Sequence, residues 1–219
     1  MAETLSSHIR RRSSINREIR RLRLRDLPVD TVELAKYLIG KSLVHEIPQG
    51  RLTGRIVETE AYLVGDAAAH SFRGLTPRNK SLFLERGHAY VYFCYGNHYM
   101  LNVSGGEEGT GTGVLIRAVE PLEGINIMKR TRRTNRLLDL ARGPGRVASA
   151  FRITRELDGL NLVNDAGSLW LGSAVRKAGP IGESIRIGIT KDAHRVLRFY
   201  ELDSPFVSGP KSLNTRIVI

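Results

Sequence analysis

The chain has 219 residues, with 34 Lys and Arg against 22 Asp and Glu, for a formal charge of +12. Its 41% hydrophobic content suits a globular protein with a sizeable core. A single cysteine, Cys94, excludes an intrachain disulfide and an all-cysteine zinc site. No apolar run approaches the ~18 residues that a membrane helix needs, and the first residues lack the apolar core of a secretory signal. An intracellular, strongly basic protein is expected.

Residues 1–26 are rich in Arg and Ser and have little core-forming pattern. They read as a flexible basic arm, with a transit peptide as the competing reading. Residues 27–219 read as one domain. Asp30 is placed to cap a helix through about Leu38, which Gly40 ends. Strands are predicted at 42–47 and 52–62. Residues 64–81 read as a long loop, a kind of segment that more often carries function than not. Residues 88–95 and 98–104 flank Gly96-Asn97 as a β-hairpin. A Gly-rich loop at 105–112 leads to a strand at 113–119. Pro121 suits the first turn of a helix through about Lys129, and a short helix follows over 145–152. Further strands are expected at 168–171, 184–189 and 197–201. Strands that neighbour each other in sequence predict an α+β domain with a largely antiparallel, curved sheet, flanking helices and a protruding hairpin.

The charge is unevenly placed. Residues 8–25 form one basic block and 129–136 a second, followed by Arg142, Arg146, Arg152 and Arg155. Polyanions are the natural partners of such a chain, although a solvated face accounts for the charge runs equally well. Charge alone does not separate a nucleic-acid enzyme from a binding module.

Five of the 7 tyrosines fall at Tyr62, Tyr90, Tyr92, Tyr95 and Tyr99. Tyr90 and Tyr92 share one strand face, and core filling explains Tyr90. Tyr95 lies beside a tight turn, where an exposed aromatic can stack on bases or wedge into a duplex. Glu58 and Glu60 share a face near the end of a strand. They fit surface carboxylates, an acid/base pair or part of a metal site. Glu60, His70 and His98 lack the spacing of a zinc motif, so no metal is expected. Nucleotide-binding and serine-hydrolase motifs are also missing, and no cofactor is expected.

Linked motifs then narrow the reading. They are Val57-Glu58-Thr59-Glu60-Ala61-Tyr62, Ala68-Ala69-His70-Ser71, Thr76-Pro77-Arg78-Asn79, and Tyr90-Val91-Tyr92 with Tyr95-Gly96. Leu101-Asn102-Val103-Ser104, Val114-Leu115-Ile116-Arg117-Ala118, Glu120-Pro121-Leu122-Glu123-Gly124 and Leu197-Arg198-Phe199-Tyr200 follow in order. Over about residues 27–208 the chain resembles the alkyladenine (3-methyladenine) DNA glycosylase family. The resemblance implies an enzyme that flips a damaged purine out of duplex DNA and hydrolyses its N-glycosidic bond. Hypoxanthine, ethenoadenine and 7-methylguanine are further substrates on that reading. By the same resemblance Glu60 is the general base and Arg117 positions it with the attacking water. Tyr62, His70 and Tyr92 enclose the flipped base, Asn102 disfavours a guanine 2-amino group, and Tyr95 fills the gap in the duplex. Thr76 and Arg78 contact the DNA backbone. No lysine occupies a nucleophile position, so no strand-cleaving lyase activity is expected. A monomer acting on double-stranded DNA is implied. The alternative is a non-catalytic DNA- or RNA-binding domain on the same fold, which has no need of a buried carboxylate in its groove.

Overall fold

The computed structural model describes residues 19–94, 96 and 98–214. Its first helix, α1 (Thr31–Leu38), starts where Asp30 accepts hydrogen bonds from the backbone N–H groups of Val32 and Glu33, both at 2.9 Å. Such a cap contributes about 1 kcal/mol. The helix buries Leu34, Ala35 and Leu38, and Gly40 follows with φ +85°. A side chain at that glycine would meet the Ala178 Cβ at 2.9 Å.

Among the described residues, eight strands form one antiparallel sheet. They are β1 (Ser42–Ile47), β2 (Gly50–Tyr62), β3 (Ala89–Cys94), β4 (His98–Gly105), β5 (Thr112–Glu123), β6 (Leu169–Gly172), β7 (Ile181–Ile185) and β8 (Val196–Glu201). The main order is β3-β4-β5-β2-β1-β6. The 13-residue strand β2 is the spine. From Thr53 to Tyr62 it lies along β5, while its other edge carries β1 beside the first half and β8 beside Glu58–Glu60. Register shifts on either side of Glu58 bend β2 at this branch point. The larger core lies under α1, with Leu34, Leu38, Ile56, Ile116 and Phe199. A smaller one gathers Val57, Ala118, Tyr200, Phe206 and Val207. Helices α2 (Ile125–Arg132) and α3 (Pro144–Ala150) complete the α+β domain.

Two predicted elements need correction. Pro121 does not open a helix: β5 continues to Glu123, Pro121 pairs with Gly54, and α2 begins only at Ile125. The pairing falls at a register shift, where a residue without an N–H is tolerated. Opposite it, a Cβ on Gly54 would collide with the Val119 side chain. The strand expected at 184–189 lies instead at Ile181–Ile185. Beyond it, Arg186 and Ile187 leave the sheet to bond elsewhere, as described below.

Of the expected N-terminal arm, residues 19–26 are described and lie against β6. The Leu22 N–H donates to the Leu171 carbonyl at 2.9 Å, Leu22 is buried, and the Arg21 guanidinium lies 4.4 Å from the Trp170 ring centroid. The remainder of the arm, and the hairpin-turn residues Tyr95 and Asn97, fall outside the described residues. Among the described residues, no helix is long and apolar enough to cross a membrane.

Candidate active site

Alternation along β2 turns Thr59 toward α1, where its hydroxyl donates to the Ala35 carbonyl at 2.9 Å. Glu58 and Glu60 therefore face the other way. Neither is a surface residue, since both are fully buried.

Glu60 is held at both oxygens. Its Oε1 accepts the Ile187 N–H at 2.7 Å, and its Oε2 accepts the Tyr62 hydroxyl at 3.0 Å and faces Arg117 Nη1 at 3.2 Å. Burial nonetheless dominates and pushes its pKa above the ordinary glutamate range, with the Glu58 charge adding to the effect against Arg117 and the two hydrogen bonds. For Glu58 the balance is reversed. Burial opposes its charge, but Arg117, Arg198 and the Ser208 N–H outweigh it and hold the pKa below the usual range. Two carboxylates on one strand are thus driven apart in acidity, one held below the ordinary glutamate range and one tuned above it, the kind of split that acid–base chemistry uses.

Tyr62 carries Glu60 to the edge of a cavity of about 150 Å³, lined by Tyr62, Ala69, His70, Tyr90, Tyr92 and Asn102 among others. That volume accepts an aromatic ring. The Tyr62 hydroxyl is raised beyond ordinary phenol acidity by burial and by the Glu60 charge, so it stays protonated. On the opposite wall, the Tyr90 and Tyr92 rings stack at 5.4 Å, and the exposed His70 ring meets Tyr92 edge-on at 4.4 Å. His70 Nδ1 lies 2.9 Å from the Tyr90 hydroxyl, whose pKa burial pushes up to about 12. The protein around His70, and then the Arg78 charge, lower the imidazole pKa and keep it neutral at pH 7. Asn102 is buried on β4 and donates to the Tyr90 carbonyl at 3.3 Å.

The structure therefore brings Glu60, Arg117, Tyr62, His70, Tyr92 and Asn102 to one place. Thr76 and Arg78 stand apart on the exposed rim, with Arg78 donating to the Phe93 carbonyl of β3 at 3.4 Å. Tyr95 lies outside the described residues. Among the described residues, no three His, Cys, Asp or Glu side chains gather as metal ligands.

Residues 25–205 match the family model described as "Methylpurine-DNA glycosylase". The chain belongs to the methylpurine-DNA glycosylase family. A Mesorhizobium japonicum protein named "Putative 3-methyladenine DNA glycosylase" is 65% identical over 188 residues, covering 86% of this chain and 90% of that one. Proteins of the same printed name from Paraburkholderia phytofirmans and Methanoculleus marisnigri are 52% and 46% identical. They cover 86% and 82% of this chain, and 88% and 94% of their own lengths.

The sequence motifs did not single out several residues around this candidate site of the methylpurine-DNA glycosylase family member. Arg198 and Ser208 hold Glu58. Arg186 and Asp66 form a fully buried ion pair, and Asp66 also accepts the Ala68 N–H at 3.0 Å. Asn79 ties the loop before it, accepting the Thr76 N–H and donating to the carbonyls of His70 and Gly74. One signal was available. Arg198 interrupts the apolar run Val196-Leu197-Arg198-Phe199-Tyr200, and a charge in such a strand needs a buried partner.

Proposed function

We propose that the protein excises methylated purines, 3-methyladenine foremost, from duplex DNA by hydrolysis at C1′. The observation that carries the reading is the buried Glu60 carboxylate, held by Arg117 and the Ile187 N–H and hydrogen-bonded by Tyr62, which lines an aromatic cavity. A base methylated at N3 or N7 is cationic in the nucleotide, and aromatic rings attract cations. Tyr62, Tyr92 and His70 enclose the flipped base, and Asn102 faces its edge.

As the C1′–N9 bond breaks, its electron pair leaves with the base, which departs neutral. Positive charge develops on the sugar, where the Glu60 carboxylate opposes it, as carboxylates do in glycoside hydrolysis. A water oxygen then bonds to C1′ and passes its proton to Glu60, leaving an abasic sugar with a C1′ hydroxyl. Arg117 orients the carboxylate throughout. None of the described residues lining the cavity is a lysine, which favours hydrolysis without a Schiff-base step or strand cleavage. Tyr95 fills the gap left by the flipped nucleotide, and Thr76 and Arg78 contact the backbone. 7-Methylguanine, cationic in the same way, extends the substrate range; hypoxanthine and ethenoadenine, uncharged in the nucleotide, extend it further and take up a proton from solvent as they depart.

The deciding experiment is single-turnover release of base from methylated duplex DNA by wild type and Glu60→Gln. Release of 3-methyladenine by wild type alone supports the reading. Lesion binding without release from any of these substrates would leave a binding domain on the glycosylase fold.

A further inference from the structure

Glu58 takes no part in the bond cleavage just described, yet four donors converge on it. Its Oε1 accepts Arg117 Nε at 2.9 Å, Arg198 Nε at 2.7 Å and the Ser208 hydroxyl at 3.0 Å, and its Oε2 accepts the Ser208 N–H at 2.7 Å. Arg198 is itself locked. It donates to the Ser184 hydroxyl, the carbonyls of Leu213 and Ser208, and the Asn214 side chain, at 2.7–3.1 Å. The segment after β8 thus closes over the back of β2 at Glu58.

The consequence falls on Arg117. A guanidinium is a rigid planar fork. Here Nε is held by Glu58 and Nη2 reaches the Ser208 hydroxyl at 3.4 Å, which leaves Nη1 to meet Glu60 at 3.2 Å. Two nitrogens anchored on one side determine where the third points. Arg198 supplies the second positive charge, so the pair of carboxylates is matched by a pair of arginines.

We propose that Glu58, clamped by Arg198 and Ser208, is the positioning residue that sets Arg117 against Glu60 and fixes the orientation and charge environment of the Glu60 carboxylate during excision. The proposal rests on the reading of Glu60 as the base. A role confined to stability explains it less well, since a buried ion pair is a weak source of stability compared with apolar packing.

The charged and titratable groups around Glu60 are Glu58 and Tyr62 on β2, Arg117 on β5, Arg198 on β8 acting through Glu58, and Arg186 after β7, whose guanidinium covers the Tyr62 ring. Glu58→Gln removes the one like charge in this set, and that loss favours ionised Glu60, so the acidic limb of the rate profile moves to lower pH.

The test is single-turnover release of 3-methyladenine against pH, with lesion-duplex affinity measured separately, for wild type, Glu58→Gln, Ser208→Ala and Glu60→Gln. For Glu58→Gln the expected result is a rate loss on the order of a hundredfold from the misplaced Arg117, a limb shifted to lower pH, and unchanged affinity. Ser208→Ala keeps both carboxylates and loses about three- to tenfold in rate. A folded Glu58→Gln with the wild-type rate or an unmoved limb overturns the proposal. If that variant does not fold, Ser208→Ala decides: a reduced rate at unchanged affinity supports the proposal, and a wild-type rate overturns it. Release that survives in Glu60→Gln would instead overturn the underlying assignment of the base.

Discussion

The guanidinium of Arg186 lies over the ring of Tyr62, 4.6 Å from its centroid, while its nitrogens pair with Asp66 and donate to the Ala61 carbonyl. One buried ion pair therefore backs the tyrosine that walls both the cavity and Glu60. Replacing Arg186 with Met leaves Asp66 charged and unpaired, which costs about 3–5 kcal/mol. Asp66→Asn together with Arg186→Met should cost less than the two single changes added, because they share one interaction. Chemical denaturation of the three variants measures this, and strict additivity would contradict it.

The opposed acidities of the two glutamates separate activity from stability in acid. Glu60 must be ionised to accept a proton, and its pKa lies above the usual range, so excision should fall as pH drops through that raised value. In the folded state this group favours its proton, so its contribution to stability is full below the unfolded pKa and is lost as pH rises through the folded one. Glu58 acts in the opposite sense. Its contribution is present above the unfolded pKa and is lost as pH falls through its depressed folded value. The acid limb of excision should therefore lie at higher pH than acid unfolding followed by circular dichroism. Coincident midpoints would contradict the assignment.

Asn79 is buried and makes three hydrogen bonds within the loop that carries His70, Thr76 and Arg78. Asn79→Ala should cost about 1–3 kcal/mol and raise amide exchange across residues 70–79. Lesion-duplex affinity should weaken more than the single-turnover rate at saturation. Unchanged exchange would mean the loop holds its shape without this clasp.

Residues 1–18 carry much of the first basic block, whereas Leu22 is buried against β6. Deleting 1–18 should flatten the dependence of log affinity on log salt, since fewer phosphates are neutralised, and leave single-turnover excision intact. Deleting 1–26 should also lower stability by about 2 kcal/mol through loss of the buried Leu22. An equal salt slope before and after the shorter deletion would remove the arm from the DNA contact.

Tyr95→Ser should weaken capture of a flipped base, because nothing then fills the vacated stack. The measurement is lesion-duplex affinity together with single-turnover excision. Wild-type values for both would exclude the wedge.

What the sequence determined by itself was local or repeated. The Asp30 cap, the strands β1 to β4 and their turn, and the alternation that puts Glu58 and Glu60 on one face are each encoded within a few residues. The ordered motifs further carried Glu60, Arg117, Tyr62, His70, Tyr92 and Asn102 into one expected site. Tertiary structure alone decided that Glu58 is buried and clamped, that Pro121 lies in a strand, and that Arg186 turns out of the sheet. The physical reason is distance along the chain. Glu58 and Arg198 are 140 residues apart, and Asp66 and Arg186 are 120, so their pairing leaves no periodic trace. The acidity of Glu60 likewise depends on burial, on the Arg117 charge from β5 and on the Ile187 N–H, which surround it only once the chain has folded.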